Sequence, residues 1–206
     1  MLAKRLFDLF WTVPGLIVLS PLFLAVAVWI KLDSPGPVFF RQVRVGKHEK
    51  PFRIYKFRTM VSDAENRGLS ITTGKDPRIT RSGEFLRRTK IDELPQLINV
   101  VKGEMSLVGP RPEVPRYVAY YPEEAKKKIF SLQPGVTDYA AIQFRNENEL
   151  LERSGDPEKT YIDEILPEKL DLYLRYANER SLWIDLKLIL GTIFPGKISE
   201  DGGSPS

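Results

Sequence analysis

Asp92 and Glu93 stand side by side in Thr89-Lys90-Ile91-Asp92-Glu93-Leu94-Pro95-Gln96, a stretch that reads as the first turn of a helix. A helix N-terminus favours the anionic form of a carboxylate, which keeps it ionised and able to attack. Upstream lie many cations. Downstream, Met105-Ser106-Leu107-Val108-Gly109-Pro110-Arg111-Pro112 presents one arginine from a proline-flanked loop. An anionic nucleophile framed by fixed cations suits chemistry on a phosphate ester. Alone, an Asp-Glu pair at a helix start is more simply a cap for free N–H groups. The cations around it shift the reading to catalysis.

Arg111 is the first choice for a phosphate clamp, because a planar guanidinium holds two oxygens at once. Lys56 and Arg58 alternate along a predicted strand, so one face carries both. Arg87 is a further cation of the same set. Glu93 has three open roles: orienting Asp92, holding a metal, or deprotonating an acceptor. Mg²⁺ is the expected metal, with Asp92 as its ligand, since it prefers hard oxygen donors and diphosphates. No glycine-rich phosphate loop or dinucleotide fingerprint occurs. His48, the one histidine, lies in a polar turn and reads as solvated. The absence of cysteine excludes disulfides and thiolate metal sites, and fits a reducing compartment.

The elements that must position these groups are legible in outline. Residues 38–43 and 52–57 have strand character and a polar, glycine-containing connection, which predicts a hairpin. A polar surface loop is expected over 65–80, a short helix over 82–88, and a second helix over 92–101 that ends at Gly103. Residues 117–130 predict a helix with Lys126, Lys127 and Lys128 on its polar side. The acidic stretch 147–166 reads as peripheral. Pro167 suits a helix start, with Leu170, Tyr173, Leu174 and Ala177 recurring at helical spacing. A last helix from Ser181 carries Leu182, Trp183, Leu186, Leu190 and Phe194, a stripe whose default place is the core. Residues 199–206 are a polar Gly/Ser-rich tail. At 206 residues the chain fits one domain with a sizeable core.

The net charge of +4 hides an asymmetry. Between Lys31 and Lys90 there are 15 Lys and Arg against 6 Asp and Glu, while everything after Lys90 is net acidic. A basic half attracts phosphates on nucleotides, lipids or nucleic acid. Nucleic acid is the weaker partner, because the cations form no helical stripe and no nucleic-acid fold signature is present.

Leu9 through Ile30 carries no charge for 22 residues, enough to span a hydrocarbon core of ~30 Å as a helix. Pro14-Gly15 and Ser20-Pro21 interrupt it. Pro21 removes a backbone donor and bends a helix, and the Ser20 hydroxyl can bond the carbonyl that is freed. Both flanks are basic, with Lys4 and Arg5 before and Lys31, Arg41, Arg44 and Lys47 after, so both ends favour the cytoplasmic side. A helix–break–helix hairpin entering and leaving by one leaflet satisfies all three features. A true span and a signal peptide cut after Ala25-Val26-Ala27 are the alternatives.

Taken in order, these stretches resemble the bacterial sugar transferase family, the monotopic polyprenyl-phosphate phosphoglycosyl transferases. The resemblance runs from about Lys4 to Phe194. It includes Ser20-Pro21, Ser34-Pro35-Gly36-Pro37-Val38-Phe39-Phe40-Arg41-Gln42, Tyr55-Lys56-Phe57-Arg58-Thr59-Met60 and Asp76-Pro77-Arg78-Ile79-Thr80. The Asp92-Glu93 block, Gly109-Pro110-Arg111-Pro112 and Pro134-Gly135-Val136-Thr137 complete it. The resemblance implies an α+β, mainly helical fold: a re-entrant membrane helix over 1–32, a catalytic domain with a small β-hairpin and interfacial helices over 33–196, and a tail over 197–206. It places the chain monotopically on the cytoplasmic face of the bacterial inner membrane, among its lipids.

The implied reaction transfers a sugar phosphate from a UDP-sugar to undecaprenyl phosphate, with Asp92 as nucleophile and Mg²⁺ as cofactor. The chain departs from the family pattern over residues 138–146, where Arg145 falls at the later arginine position. Ser181 and Asp185 fit the C-terminal motif, whereas Tyr173 and Glu179 stand where Asp and Asn are common, leaving Asp171 as a substitute. A reading of another class is a membrane-tethered phosphate- or nucleic-acid-binding scaffold whose acidic pair is structural.

Overall fold

The computed structural model describes residues 2–64 and 76–194. Most of the loop expected over 65–80, and the whole tail over 197–206, lie outside the described residues. The fold is mainly helical α+β. In chain order it runs α1 (Leu2–Asp33), β1 (Phe39–Val45), β2 (Pro51–Phe57), α2 (Arg81–Arg88), α3 (Gln96–Lys102), β3 (Ser106–Val108), α4 (Pro115–Val118) and α5 (Glu123–Ile129). It continues through β4 (Gly135–Thr137), α6 (Tyr139–Gln143), α7 (Glu147–Glu152), α8 (Pro157–Thr160), α9 (Leu166–Glu179) and α10 (Leu182–Ile193).

α1 is one unbroken helical element with Pro14 and Pro21 inside it. The expected break is therefore not a gap between two helices. The Ser20 hydroxyl donates to the Ile17 carbonyl at 2.7 Å, the acceptor that Pro21 cannot serve, so the hydrogen-bonded ladder continues past the proline. By length and composition the helix could cross a membrane.

Both ends of α1 nevertheless seat on the rest of the fold. Near its start, Arg5 donates to the Val100 and Val101 carbonyls at the end of α3. Asp8 accepts from the Ser106 hydroxyl at 2.8 Å, and Lys4 pairs with Asp185 of α10 at 2.8 Å. Near its end, Val26 and Ile30 pack with Phe57 and Leu86. Asp33 accepts from the Ser82 N–H and hydroxyl at 2.9 and 2.8 Å. Between these anchors Val13, Ile17, Val18 and Leu24 are exposed.

The predicted hairpin forms as β1 and β2, antiparallel, with Phe39 opposite Phe57 and Val45 opposite Pro51. β3 and β4 pair in parallel, with Ser106 opposite Gly135 and Val108 opposite Thr137. The helix expected over 117–130 is two, α4 and α5. Pro122 cannot donate and starts α5 instead of continuing α4. The stretch 147–166 is not peripheral. Leu151, Tyr161, Ile165 and Leu166 are buried in the main core with Tyr117, Ile129, Leu170 and Tyr173. A π-helical turn over Tyr161–Ile165 shifts the helical register and brings both Tyr161 and Ile165 inward. The α10 stripe also departs from its default place. None of its five residues is buried: Leu182, Trp183, Leu190 and Phe194 are exposed and Leu186 is half-buried, while α10 turns Leu188 inward instead.

Candidate active site

Three short segments converge on the acidic pair. α2 ends at Arg88 with Thr89 as its cap, and Lys90 then takes a left-handed conformation (φ 58°) that turns the chain sharply. A single 3₁₀ turn over Ile91–Glu93 follows, and Pro95 begins α3 as a separate helix. Asp92 and Glu93 thus precede the α3 N-terminus instead of forming its first turn. α3 is fastened to the hairpin by Asn99, which accepts from the Tyr55 N–H and donates to the Arg53 carbonyl, both at 2.9 Å. That attachment brings β2 across the turn, and Lys56 donates to Glu93 Oε1 at 2.7 Å.

Arg111 arrives from the other side. The Gly109 N–H donates to the Thr137 carbonyl at 3.1 Å, and the Gly135 N–H to the Pro110 carbonyl at 3.0 Å. The two backbones approach so closely that a Cβ on Gly135 would lie 2.1 Å from the Gly109 nitrogen. Only glycine fits there. The Arg111 N–H is fixed by Asp138 Oδ2 at 2.8 Å, and Asp138 also caps α6 through the Ala141 N–H. So held, the Arg111 guanidinium closes a fork on Glu93, with Nη1 3.2 Å from Oε2 and Nη2 bonded to Oε1.

The two carboxylates titrate apart. Burial would raise Glu93, but the charges of Arg111 and Lys56 and their hydrogen bonds outweigh it and hold the group well below the usual range. Burial pushes Asp92 upward; Lys56 opposes this, and the neighbouring Glu93 charge adds to it. Asp92 Oδ1 is buried with no hydrogen-bond partner. This corrects the expectation that a helix N-terminus depresses Asp92. Burial also lowers Lys56, against the charge of Glu93. Arg87, with Nη1 equally unpartnered, lies close enough for its charge to favour the Asp92 carboxylate.

The bacterial sugar transferase family model matches residues 1–196. The chain belongs to this family. It is 37% identical over 202 residues to the UDP-glucose:undecaprenyl-phosphate glucose-1-phosphate transferase of Escherichia coli K12, covering 97% of this chain and 41% of that protein. It is 42% identical over 199 residues to the undecaprenyl-phosphate glucose phosphotransferase of Komagataeibacter xylinus, covering 94% and 35%. It is 40% identical over 201 residues to the exopolysaccharide production protein PSS of Rhizobium leguminosarum bv. phaseoli, covering 94% of each. The chain spans about two fifths of the length of the first two.

Three cavities surround this part of the chain, and two of them reach Asp92. One of about 680 Å³ is strongly basic, lined by Arg41, Arg44, Arg53, Arg87, Arg111 and Lys169 among others. A second, about 570 Å³, contains Lys56, Asp92, Glu93 and Arg111 and reaches Arg145 and Thr192. A third, about 550 Å³, runs from Asp92 along Phe39, Phe40 and Met60. Arg87 lines all three. Arg145 sits at the mouth of the second, donating to the Thr192 carbonyl at 3.1 Å.

Lys56 and Arg58 both line the third cavity, but their cationic groups have different partners. β2 ends at Phe57, and the Arg58 guanidinium turns back to the carbonyls of Ser34 at 2.8 Å and Pro35 at 2.6 Å. It closes the end of α1, although it borders the third cavity.

Sequence reasoning passed over several polar residues that support the site. Lys169 is buried, pairs with Glu147 and lies 4.9 Å from the Tyr161 ring centre. The Tyr161 hydroxyl donates to Glu113, which also pairs with Arg44 at 3.4 Å. The one available signal was a lysine on the apolar face of α9. Of the C-terminal motif, Asp185 is buried and receives the Tyr176 hydroxyl at 2.7 Å, while Tyr173 is a core residue.

No group of three or more acidic, histidine or cysteine side chains able to hold a metal occurs among the described residues. Glu93 is committed to two cations. Asp92, with one oxygen free of partners, is the carboxylate that fits Mg²⁺, a metal that takes one protein carboxylate plus substrate phosphates.

Proposed function

We propose that this sugar transferase moves a sugar phosphate from a UDP-sugar to undecaprenyl phosphate, forming the polyprenyl diphosphate sugar and UMP. One observation carries the reading. A buried carboxylate without a partner, Asp92, faces cavities whose walls are cationic, while its neighbour Glu93 is locked between Lys56 and Arg111.

In the first step an Asp92 oxygen attacks the phosphorus bearing the sugar. The P–O bond to the nucleoside monophosphate breaks and UMP leaves with that oxygen. In the second, a phosphate oxygen of the acceptor attacks the same phosphorus, the acyl–O–P linkage breaks, and Asp92 regains its carboxylate. Two steps let a soluble donor and a lipid acceptor use one nucleophile in turn. Mg²⁺ held by Asp92 and the diphosphate would neutralise charge on the donor. Glu93, kept ionised, is a poor base and instead orients Lys56 and Arg111 against the reacting phosphate. Arg87 spans the cavities and supplies a cation to each substrate, with Arg145 at one mouth.

The membrane course follows from the two anchored ends of α1. A helix crossing ~30 Å of hydrocarbon would separate its ends across the bilayer. Here both ends bind one domain, which supports residues 1–32 as a re-entrant, monotopic element. The basic flanks favour the cytoplasmic face. Residues 33–196 then form the catalytic domain, with the exposed Leu182, Trp183, Leu190 and Phe194 at the lipid interface.

The deciding experiment mixes a panel of UDP-sugars with undecaprenyl phosphate, Mg²⁺ and the protein in detergent. UMP release together with an added phosphosugar mass on the protein is expected. Absence of both across the panel would leave the acidic pair a structural feature.

A further inference from the structure

A fourth cavity, about 440 Å³, lies where the start of α1 meets the start of α10, and shares no lining residue with the three described above. Its floor is already neutralised. Lys4 pairs with Asp185, while Asp8 accepts from Ser106. Its rim is different. The Lys47 ammonium and the Arg180 guanidinium both line the cavity, and neither has a hydrogen-bond or ion-pair partner among the described residues. Two unpaired cations over an otherwise balanced, largely apolar hollow leave a net positive mouth.

The surroundings say what kind of anion belongs there. Leu2 and Leu6 of α1 are 74% and 58% exposed, and Leu182 and Trp183 of α10 are 42% and 64% exposed. Lys187 lies 5.5 Å from the Trp183 ring centre, the pairing of aromatic ring and cation common at a membrane interface. A soluble anion would use the cations and leave these apolar side chains in water. An amphiphile uses both.

We propose that this cavity is a binding site for the headgroup of an anionic phospholipid. Lys47 and Arg180 contact the phosphate, and the acyl chains run over Leu2, Leu6, Leu182 and Trp183. The bound lipid fastens the α1–α10 junction at a fixed depth in the membrane. The site is separate from the chemistry and stands whether or not Asp92 is the nucleophile.

The test is native mass spectrometry of the full chain from nanodiscs of phosphatidylcholine alone or mixed with phosphatidylglycerol. The wild type should retain phosphatidylglycerol in preference to phosphatidylcholine. Lys47→Gln with Arg180→Gln should weaken that retention roughly tenfold or more, as expected for loss of two charge-assisted contacts. The swap Lys47→Arg with Arg180→Lys should restore it. Lys127→Gln with Lys128→Gln removes the same charge from α5 and should leave retention as in wild type. Unchanged activity in detergent will show that the variants are folded. Three results overturn the site: full retention in the Lys47/Arg180 double variant, equal loss in the α5 control, or equal retention of phosphatidylcholine by wild type. Displacement of the lipid by inorganic phosphate would also overturn it, by showing a soluble-anion site.

Discussion

The Ser20 hydroxyl bonds the Ile17 carbonyl, the one acceptor in α1 that Pro21 leaves without its amide. In hydrocarbon an unserved carbonyl is costly, so this bond makes a proline bend tolerable within lipid. Replacing Ser20 with Ala and Pro21 with Leu restores the missing amide and removes the hydroxyl that compensates for it. The expected outcome is a segment able to cross, which moves the N-terminus to the outer side. The chain has no cysteine, so a cysteine placed near Met1 reports directly. It should resist a membrane-impermeant reagent in intact cells for the native sequence and react in the double variant. Reaction in the native background would show a crossing helix.

Asp92→Asn should abolish the phosphosugar adduct and slow transfer by several orders of magnitude, because an amide cannot form the acyl phosphate. The same change should stabilise the fold at neutral pH by about 1–3 kcal/mol, the cost of burying a carboxylate oxygen without a hydrogen-bond partner. The pH dependence separates the two effects. The folded pKa of Asp92 is raised. In the window above the unfolded carboxylate value, roughly 4, the folded state therefore holds the proton more tightly and stability falls as pH rises. The Asn variant lacks that window, so its advantage should vanish in acid. Adduct formation in the wild type should rise across the same window. Thermal melts and intact mass at a series of pH values measure both.

Arg111→Ala should cost about 3–4 kcal/mol in kcat/KM, the loss typical of a charge-stabilising donor. It also removes the fork that Glu93 occupies. Arg111→Lys should recover little, since an ammonium cannot replace two parallel N–H groups. Full activity in the Lys variant would mean that only net charge matters there.

What the sequence disclosed depended on how local the cause was. The acidic pair, the hairpin and Lys56 were legible because adjacency and period-two alternation are local. The hold on the Arg58 guanidinium is not legible, because the carbonyls of Ser34 and Pro35 that receive it lie more than twenty residues away in sequence. The turn at Asp92 reads in sequence as a helix start because Lys90 adopts a left-handed conformation where Gly or Asn would be the usual signal. Asp138 supports Arg111 from 27 residues away, a relation visible only once β3 and β4 pair. The core role of Tyr161 and Ile165 was hidden by the π-turn, which breaks the 3.6-residue spacing that periodicity analysis detects.

That pairing of β3 with β4 yields the sharpest structural prediction. A methyl group on Gly135 would lie 2.1 Å from the Gly109 nitrogen and 2.3 Å from its carbonyl oxygen, both backbone atoms that cannot rotate aside. Gly135→Ala must therefore push the two loops apart and displace the Pro110–Arg111 segment. The expected cost is about 3 kcal/mol or more of stability, the upper range for overpacking. Transfer activity should fall further than stability alone explains, because Arg111 loses its position relative to Glu93. Gly155→Ala is the matched control, since nothing lies within 4 Å of its added methyl. It should melt at or slightly above the wild-type temperature, through reduced freedom of the unfolded chain. Measuring Tm and UMP release for both variants tests the geometry. Wild-type behaviour of Gly135→Ala would show that the loops do not approach as described.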